Sequence, residues 1–296
     1  MSKRKNITVI GGDDRHIYMI ENLCRKGYQV ITYGFSDELI NNITQVVDSL
    51  EEAMSKSDIL VCPIPFSRNK VDITFLDLYE DKSIEKFINN LNKNHMIFSA
   101  MIPKNVTDYC LNYDIRFYDL LKNNGFAMLN AVATAEGSIA EAISMSKINL
   151  HKSNCIVIGY GRCAQILAKK LKSLDANVCV VARNIDSRSL AQANGYSSIP
   201  FDKLNDTLVS SDFIFNTVPS IILVKDNLKY IPSHAIIIDI ASSPGGVDYI
   251  SAKELKIQAK NCLGLPGKYA PKSSGEIIAQ VIENILSERS SEYEVR

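Results

Sequence analysis

CIVIGYGRCAQILAKKLKSLDANVCVVARN, residues 155–184, decides the fold. It reads as a strand, a glycine turn, an amphipathic helix and a second strand. Gly159-Tyr160-Gly161-Arg162-Cys163-Ala164 fits the dinucleotide fingerprint G-x-G-x-x-G/A at the place where that fingerprint has meaning, after a β-branched run and before a helix. Gly159 permits the tight turn, Gly161 lets a pyrophosphate approach the backbone, and Ala164 is small enough for close packing of helix on strand. The unpaired N–H groups and the dipole at the helix start favour phosphate. A glycine turn in a plain βαβ unit is the bland alternative.

The second strand of this unit ends at Ala182-Arg183-Asn184, where NAD-specific folds usually carry an acid for the ribose 2′-OH. Arg183 instead offers a planar fork for a 2′-phosphate, with Arg188 in reach, so the cofactor expected is NADP, with NAD as the other candidate. Further on, Phe213–Val218 and Ala235–Ile240 read as strands. Their ends make Thr217, Val218, Pro219, Asp239 and Ala241 candidate cofactor contacts, with plain strand termination as the alternative. Cys262–Gly267 reads as a last strand and turn, and Gly275 to about Leu286 as a closing amphipathic helix, followed by a polar tail from Ser287.

Upstream, Asn6–Ile10, the turn Gly11-Gly12-Asp13-Asp14-Arg15, a periodic segment and Gln29–Tyr33 make an opening βαβ unit. Asp13 and Asp14 would repel a pyrophosphate, so this end reads as a substrate-facing edge. Arg15 is a candidate fork for a carboxylate; an N-capping Asp beside a solvated Arg is equally compatible. Strands at Ile59–Pro63 and Met96–Ala100 alternate with helical segments at Ser83–Leu91 and Val106–Asn112. Such alternation implies a mostly parallel sheet with ligands at the carboxyl ends of its strands, where Ser67 and Ser99 lie. Loop serines more often cap helices. The stretch from Asn130 through Thr134, Glu136 and Gly137 reads as the lead into a helix beginning near Ile139. There Glu136 is either a favourable charge at a helix start or an acid or base at a domain junction. Thr134 lacks an acid three residues on, which excludes a capping box.

The chain of 296 residues is long enough for two domains, and 33 basic against 33 acidic residues give no electrostatic ground for nucleic acid or an anionic membrane. Seven scattered cysteines without a C-x-x-C pair suggest neither zinc nor a disulfide framework, and fit a reducing cytoplasm. The basic start Lys3-Arg4-Lys5 is followed by an apolar run too short for a signal peptide. No stretch approaches the roughly 18 apolar residues of a membrane span. His16, His95, His151 and His234 stand singly, which more often means a structural or solvated imidazole than a catalytic one; no set of side chains has metal-ligand spacing.

Together, VIGGDDR at 9–15, the N-x-x-x-T-x-E-G pattern at 130–137, GYGR at 159–162, NTVPS at 216–220, DIASSPGGVD at 239–248 and GLPGKYAPKSSG at 264–275 resemble the dipicolinate synthase A subunit family over nearly the whole chain. The resemblance implies an α/β fold of two Rossmann-like domains with parallel sheets, related in architecture to 2-hydroxyacid and alanine dehydrogenases, with a C-terminal helix returning to the first domain. The expected division is a flavodoxin- or Rossmann-like substrate domain at 1–130, an inter-domain helix at 131–150, an NAD(P)-binding domain at 151–272 and a closing helix and tail at 273–296. The implied reaction oxidises, and where the substrate is hydroxylated also dehydrates, the cyclic product of dihydrodipicolinate synthase to dipicolinate during sporulation. The implied partner is the flavoprotein-like B subunit of dipicolinate synthase. For such a small dicarboxylate, Arg15 and Lys272 are the candidate carboxylate partners, Glu136 or Asp14 the candidate base, and Thr134 a further site candidate. Two other readings stay open: a different NAD(P)-dependent 2-hydroxy or 2-amino acid dehydrogenase, and a non-catalytic cofactor-binding subunit that orders a flavoprotein partner. A homo-oligomer is compatible with all three.

Overall fold

The computed structural model describes residues 6–36, 38, 40, 43–76 and 82–294, with backbone alone from 289. The basic start Lys3-Arg4-Lys5 lies outside the described residues. The chain forms two compact units, residues 1–127 with 271–296, and residues 128–270.

The first unit runs β1 (Asn6–Ile10), α1 (Asp14–Arg25), β2 (Gln29–Tyr33), β3 (Gln45–Val46), α2 (Leu50–Ser55), β4 (Ile59–Val61), α3 (Ile84–Asn89), β5 (Met96–Ser99), α4 (Lys104–Asn112) and β6 (Arg116–Asp119). Its strands are all parallel, in the order β3-β2-β1-β4-β5-β6. β-Branched runs such as Ile7, Val9 and Ile10 are fully buried because helices cover both faces of the sheet. α5 (Asn124–Met145) then leads into the second unit: β7 (Asn154–Ile158), α6 (Arg162–Ser173), β8 (Asn177–Val181), α7 (Ile185–Ala193), β9 (Ser197–Ile199), α8 (Leu204–Leu208), β10 (Phe213–Asn216), α9 (Lys225–Leu228), β11 (Ile236–Asp239), α10 (Tyr249–Glu254), β12 (Gln258–Asn261) and α11 (Leu265–Tyr269). Its sheet, β12-β11-β10-β7-β8-β9, is parallel throughout and repeats the same winding. α12 (Pro271–Glu294) returns to the first unit, where Ile278, Ala279, Ile282 and Leu286 join Met19, Ile20 and Leu23 of α1 in one core. Two Rossmann-like domains and a returning helix are thus what the sequence implied.

Several details differ. α5 begins at Asn124, not near Ile139, so Thr134 lies inside a helix and its hydroxyl donates to the Asn130 carbonyl at 3.1 Å. Gly137 misleads because it is there for packing: a Cβ would lie 2.9 Å from the Tyr269 ring and 3.0 Å from Leu265. Cys262–Gly267 is not a strand; the edge strand is the polar QAKN of β12, and Leu265–Tyr269 is a helical turn. α12 starts at Pro271, where the missing N–H costs nothing, and continues past Ser287, where the polar tail begins, as far as Glu294. Gly275 sits inside α12 because its backbone touches α1, where a Cβ would stand 2.9 Å from the Met19 nitrogen. Among the described residues no helix is long and apolar enough to cross a membrane.

Candidate functional site

In the second unit β7 ends in a turn whose first glycine is obligatory. Gly159 has φ +93°, and a Cβ there would run into Thr217 Oγ1 and come within 2.9 Å of Val218 Cγ2. Thr217 is fixed in turn, its hydroxyl donating to the Ile158 carbonyl at 2.8 Å. Gly161 differs in kind: its φ is −75°, and no heavy atom lies within 4 Å of the place a Cβ would take. It is the N-cap of the 12-residue helix α6, and among the described residues no side chain caps that helix's first N–H groups. The open space in front of this uncapped helix start leaves N–H groups of the kind that can donate to an anion. Ala164, fully buried on the first turn, allows the close packing expected of it.

Other fingerprint positions divide. Tyr160 turns inward, 6% exposed, with its hydroxyl 3.1 Å from Asn194 Nδ2. Arg162 is exposed at the helix start, whereas burial pushes the Cys163 thiol up to about 12, leaving it protonated. At the end of β8, Arg183 is exposed with its guanidinium carbon 5.6 Å from the centroid of the Phe201 ring. Arg188 Nη1 donates to the carbonyls of Ala182 at 3.0 Å and Arg183 at 2.6 Å, which fixes that strand end. Asn184 is engaged as the N-cap of α7, accepting from Ser187 N at 2.7 Å.

Asp239 is wholly buried and fully used. Its carboxylate accepts from Asn216 Nδ2 at 2.8 Å, Ala241 N at 3.2 Å, Gly246 N at 2.8 Å and the Tyr249 hydroxyl at 3.1 Å. It holds the 241–246 loop, and burial together with its charge pushes the Tyr249 phenol up. Val218 and Pro219 lie at the open end of β10, half-buried and exposed.

A second buried carboxylate escaped sequence reasoning. Glu141 of α5, 3% exposed at its side chain, accepts from Lys260 Nζ at 2.6 Å and Lys268 Nζ at 2.5 Å. These hydrogen bonds, Lys260 first, outweigh burial and hold the carboxyl down from 4.5 to about 2. A lone acid among Ala140, Ala142 and Ile143 was the available signal. Glu136, one of the candidate bases, is exposed and ion-paired to Lys170 at 2.7 Å.

In the first unit Asp13, not Asp14, caps α1, accepting from Arg15 N at 3.1 Å; the His16 ring nitrogen Nδ1 accepts the Asp13 N–H at 3.1 Å in return. Arg15 is 5% exposed rather than solvated: Nε and Nη2 fork onto Asp13 at 2.9 and 2.7 Å, and Nη2 also reaches the Ile64 carbonyl. Its Nη1 makes no hydrogen bond among the described residues. Burial would raise the Asp13 carboxyl, but His16 and Arg15 outweigh it and hold it well below its ordinary range. Asp14 is exposed in the first turn of α1, and Lys272 exposed in the first turn of α12, three residues before the contact of Gly275 with α1. Ser99 is buried, donating to the Pro63 carbonyl at 2.5 Å, and Ser67 accepts from Lys70 N at 2.8 Å, so both close loops. His95 is a core residue bonded to the Met54 carbonyl, with burial pushing its imidazole down. His151 and His234 are paired to Asp175 and Asp212 in loops. Among the described residues no group of side chains could hold a metal ion.

Known proteins match this division. Residues 6–121 match the model for the N-terminal domain of the dipicolinate synthase A subunit, and residues 126–245 the NAD-binding domain model of D-isomer-specific 2-hydroxyacid dehydrogenases. The A subunit of dipicolinate synthase from Bacillus subtilis (strain 168) is 29% identical over 291 residues, 97% of each chain. The crystal structure of the A subunit of dipicolinate synthase from Bacillus halodurans superposes with a TM-score of 0.87 at 27% identity, covering 95% of this chain and 97% of that one. The transhydrogenase of Sinorhizobium meliloti shares the fold alone, with a TM-score of 0.67 at 11% identity over 94% of this chain and 92% of its own. The second unit is therefore a nicotinamide dinucleotide domain, with the open turn at Gly161 as the feature of this chain that fits the cofactor.

Proposed function

We propose that this chain, an NAD(P)-dependent oxidoreductase belonging to the dipicolinate synthase A subunit family, oxidises a cyclic dihydro-dicarboxylate to dipicolinate with NADP, or oxidises its hydroxytetrahydro form with loss of one water, in the cytoplasm of a sporulating cell. The observation that carries the reading is the uncapped start of α6 behind Gly161, which offers N–H groups and open space to a pyrophosphate. Bound nicotinamide supplies the hydride acceptor. Around it, Gly159, Gly161 and Arg162 hold the phosphates, and Thr217, Val218 and Pro219 form the wall at the end of β10. Arg15 presents its unbonded Nη1 to one substrate carboxylate, kept in place by Asp13, and Lys272 serves the other. Oxidation of a dihydropyridine ring releases one hydride and one proton. Asp14, exposed in the turn of Arg15, suits the proton better than Glu136, which Lys170 already engages. All seven cysteines are unpaired, in keeping with a reducing compartment.

NADP is favoured over NAD because the end of β8 carries Arg183, with Arg188 clasping the two carbonyls beside it, and no carboxylate at the strand end. Arg183→Glu is expected to weaken NADP about 10- to 100-fold, the worth of one or two charge-assisted hydrogen bonds. NAD affinity should change less than threefold. Equal losses for both dinucleotides, in paired titrations, would contradict NADP selection by this residue.

The reading as a whole is tested with the cyclic product of dihydrodipicolinate synthase, NADP, this chain, and the flavoprotein-like partner. Dipicolinate formation, followed by its pyridine absorbance, is expected with both proteins present. No pyridine product with or without the partner would contradict it.

A further inference from the structure

The first unit has the same strand winding as the second, and so the same crevice, where the order of strand addition reverses between β1 and β4. In the second unit the corresponding place in front of Gly161 is open. In the first it is full.

Two components of a nucleotide are replaced there by the chain's own groups. At the helix start, where a phosphate would sit, the Asp13 carboxylate already accepts from Arg15 N at 3.1 Å, and the Thr74 carbonyl takes the Gly12 N–H at 3.0 Å. At the end of β2, where a nucleotide's ribose and base would lie, stands the ring of Phe75. A Cβ on Gly34 would collide with the edge of that ring, and one on Gly11 would lie 3.3 Å from it and 2.6 Å from the Thr74 oxygen. Tyr33, the last residue of β2, meets the same ring edge-on at 5.7 Å. The segment carrying Phe75 is pinned at several points: Phe66 N donates to the Ala100 carbonyl at 2.9 Å, Thr74 N to the Phe66 carbonyl at 3.0 Å, and Ile73 N to the Lys82 carbonyl at 2.8 Å. Phe66 itself is buried edge-on to Phe87 at 5.3 Å.

We propose that the first unit is a nucleotide-type crevice permanently filled from within, Asp13 standing in for the phosphate and Phe75 for the ring, so that nucleotides are excluded from the turn of Arg15. Phe75 is then a specificity-determining residue: its ring denies a nucleotide the end of β2. That this protects a small-anion substrate at Arg15 rests on the role proposed above for Arg15; the filled crevice itself does not. Gly11, Gly12 and Gly34 are glycines because the chain's own segment approaches them, and the chain holds one dinucleotide, at α6.

Two measurements on the full chain test this. With Phe75 intact, Gly161→Asp is titrated with NADPH: at least 100-fold weaker binding is expected, and a remaining site of wild-type affinity would overturn the proposal. Independently, Phe75→Ala is heated with and without millimolar indole. Indole should raise the melting temperature of Phe75→Ala by several degrees and leave the wild type unmoved, since an emptied aromatic cavity takes up a planar apolar guest. An unshifted Phe75→Ala would overturn the proposal. Should Phe75→Ala not fold, the Gly161→Asp titration decides alone. Failure of the cofactor reading shows separately, as a wild type that binds no NADPH while the indole result stands.

Discussion

Gly161→Asp is expected to abolish useful dinucleotide binding, by 100-fold or more, without lowering the melting temperature. The backbone at Gly161, φ −75° and ψ −174°, is open to any residue, and no heavy atom lies within 4 Å of the new Cβ. Asp is moreover among the best N-caps, worth about 0.5–2 kcal/mol over residues that cannot cap. Its carboxylate would take the N–H groups offered to the pyrophosphate and repel the phosphates. A 100-fold loss needs only about 2.7 kcal/mol, less than the roughly 4 kcal/mol of two unit charges at 4 Å near a protein surface. α1 shows the same arrangement in nature, capped by Asp13. Gly159→Ala should fail differently, by losing about 1–3 kcal/mol of stability, because φ +93° and Thr217 both oppose a side chain there. Thermal melts beside calorimetric titrations separate the two. Undiminished NADPH affinity in Gly161→Asp would place the cofactor elsewhere.

The second large effect is on acid stability and falls on Glu141. Its folded carboxyl titrates near 2 against an ordinary 4.5, so the stabilisation is fully present above pH 4.5 and is lost as pH falls toward 2. That difference corresponds to roughly 3 kcal/mol, reduced to about 2 kcal/mol because Lys260 and Lys268 are half exposed and screened. Glu141→Gln should therefore cost about 2 kcal/mol at pH 7 and flatten the acid limb of stability between pH 4.5 and 2. Asp13, also held low, keeps some acid sensitivity in the variant. Denaturant melts at several pH values measure both quantities. An acid limb as steep as the wild type's would remove Glu141 from this role.

Strands with long apolar or β-branched runs are legible to the residue: Asn6–Ile10 and Gln29–Tyr33 are β1 and β2 as the pattern predicts. Buried parallel strands leave an unbroken pattern that nothing else in the chain imitates. What the pattern misses are β3, β6 and β9, with β12 misplaced onto the apolar Cys262–Gly267. These four are the edge strands of their sheets, two to four residues long and at most half-buried. β12 carries Lys260, whose partner, Glu141, is 119 positions away in the chain. Helix limits fail where glycine serves packing, at Gly137 and Gly275, since a sequence does not distinguish a glycine that ends a helix from one that admits a neighbour.

The site shows the same division. The dinucleotide turn is readable because its glycines answer to local geometry. The sequence marks Asp13 and Asp14 as repelling a pyrophosphate and leaves open whether Arg15 is solvated; the fork of Arg15 onto Asp13, two residues away, is local, whereas the ring of Phe75 beside Gly11 and Gly34 comes from a segment some sixty residues on, invisible to spacing. Likewise Asp239 has the position of a cofactor contact at a strand end, and only its four donors mark it as the anchor of a loop.

The most direct test is to follow nicotinamide reduction and dipicolinate formation together, using the wild type and Gly161→Asp with the flavoprotein-like partner present. One reduced nicotinamide per dipicolinate, with both signals lost in Gly161→Asp, is the expected result. Dipicolinate formed at an undiminished rate by Gly161→Asp, or without reduction of nicotinamide, would contradict a hydride acceptor seated at this turn.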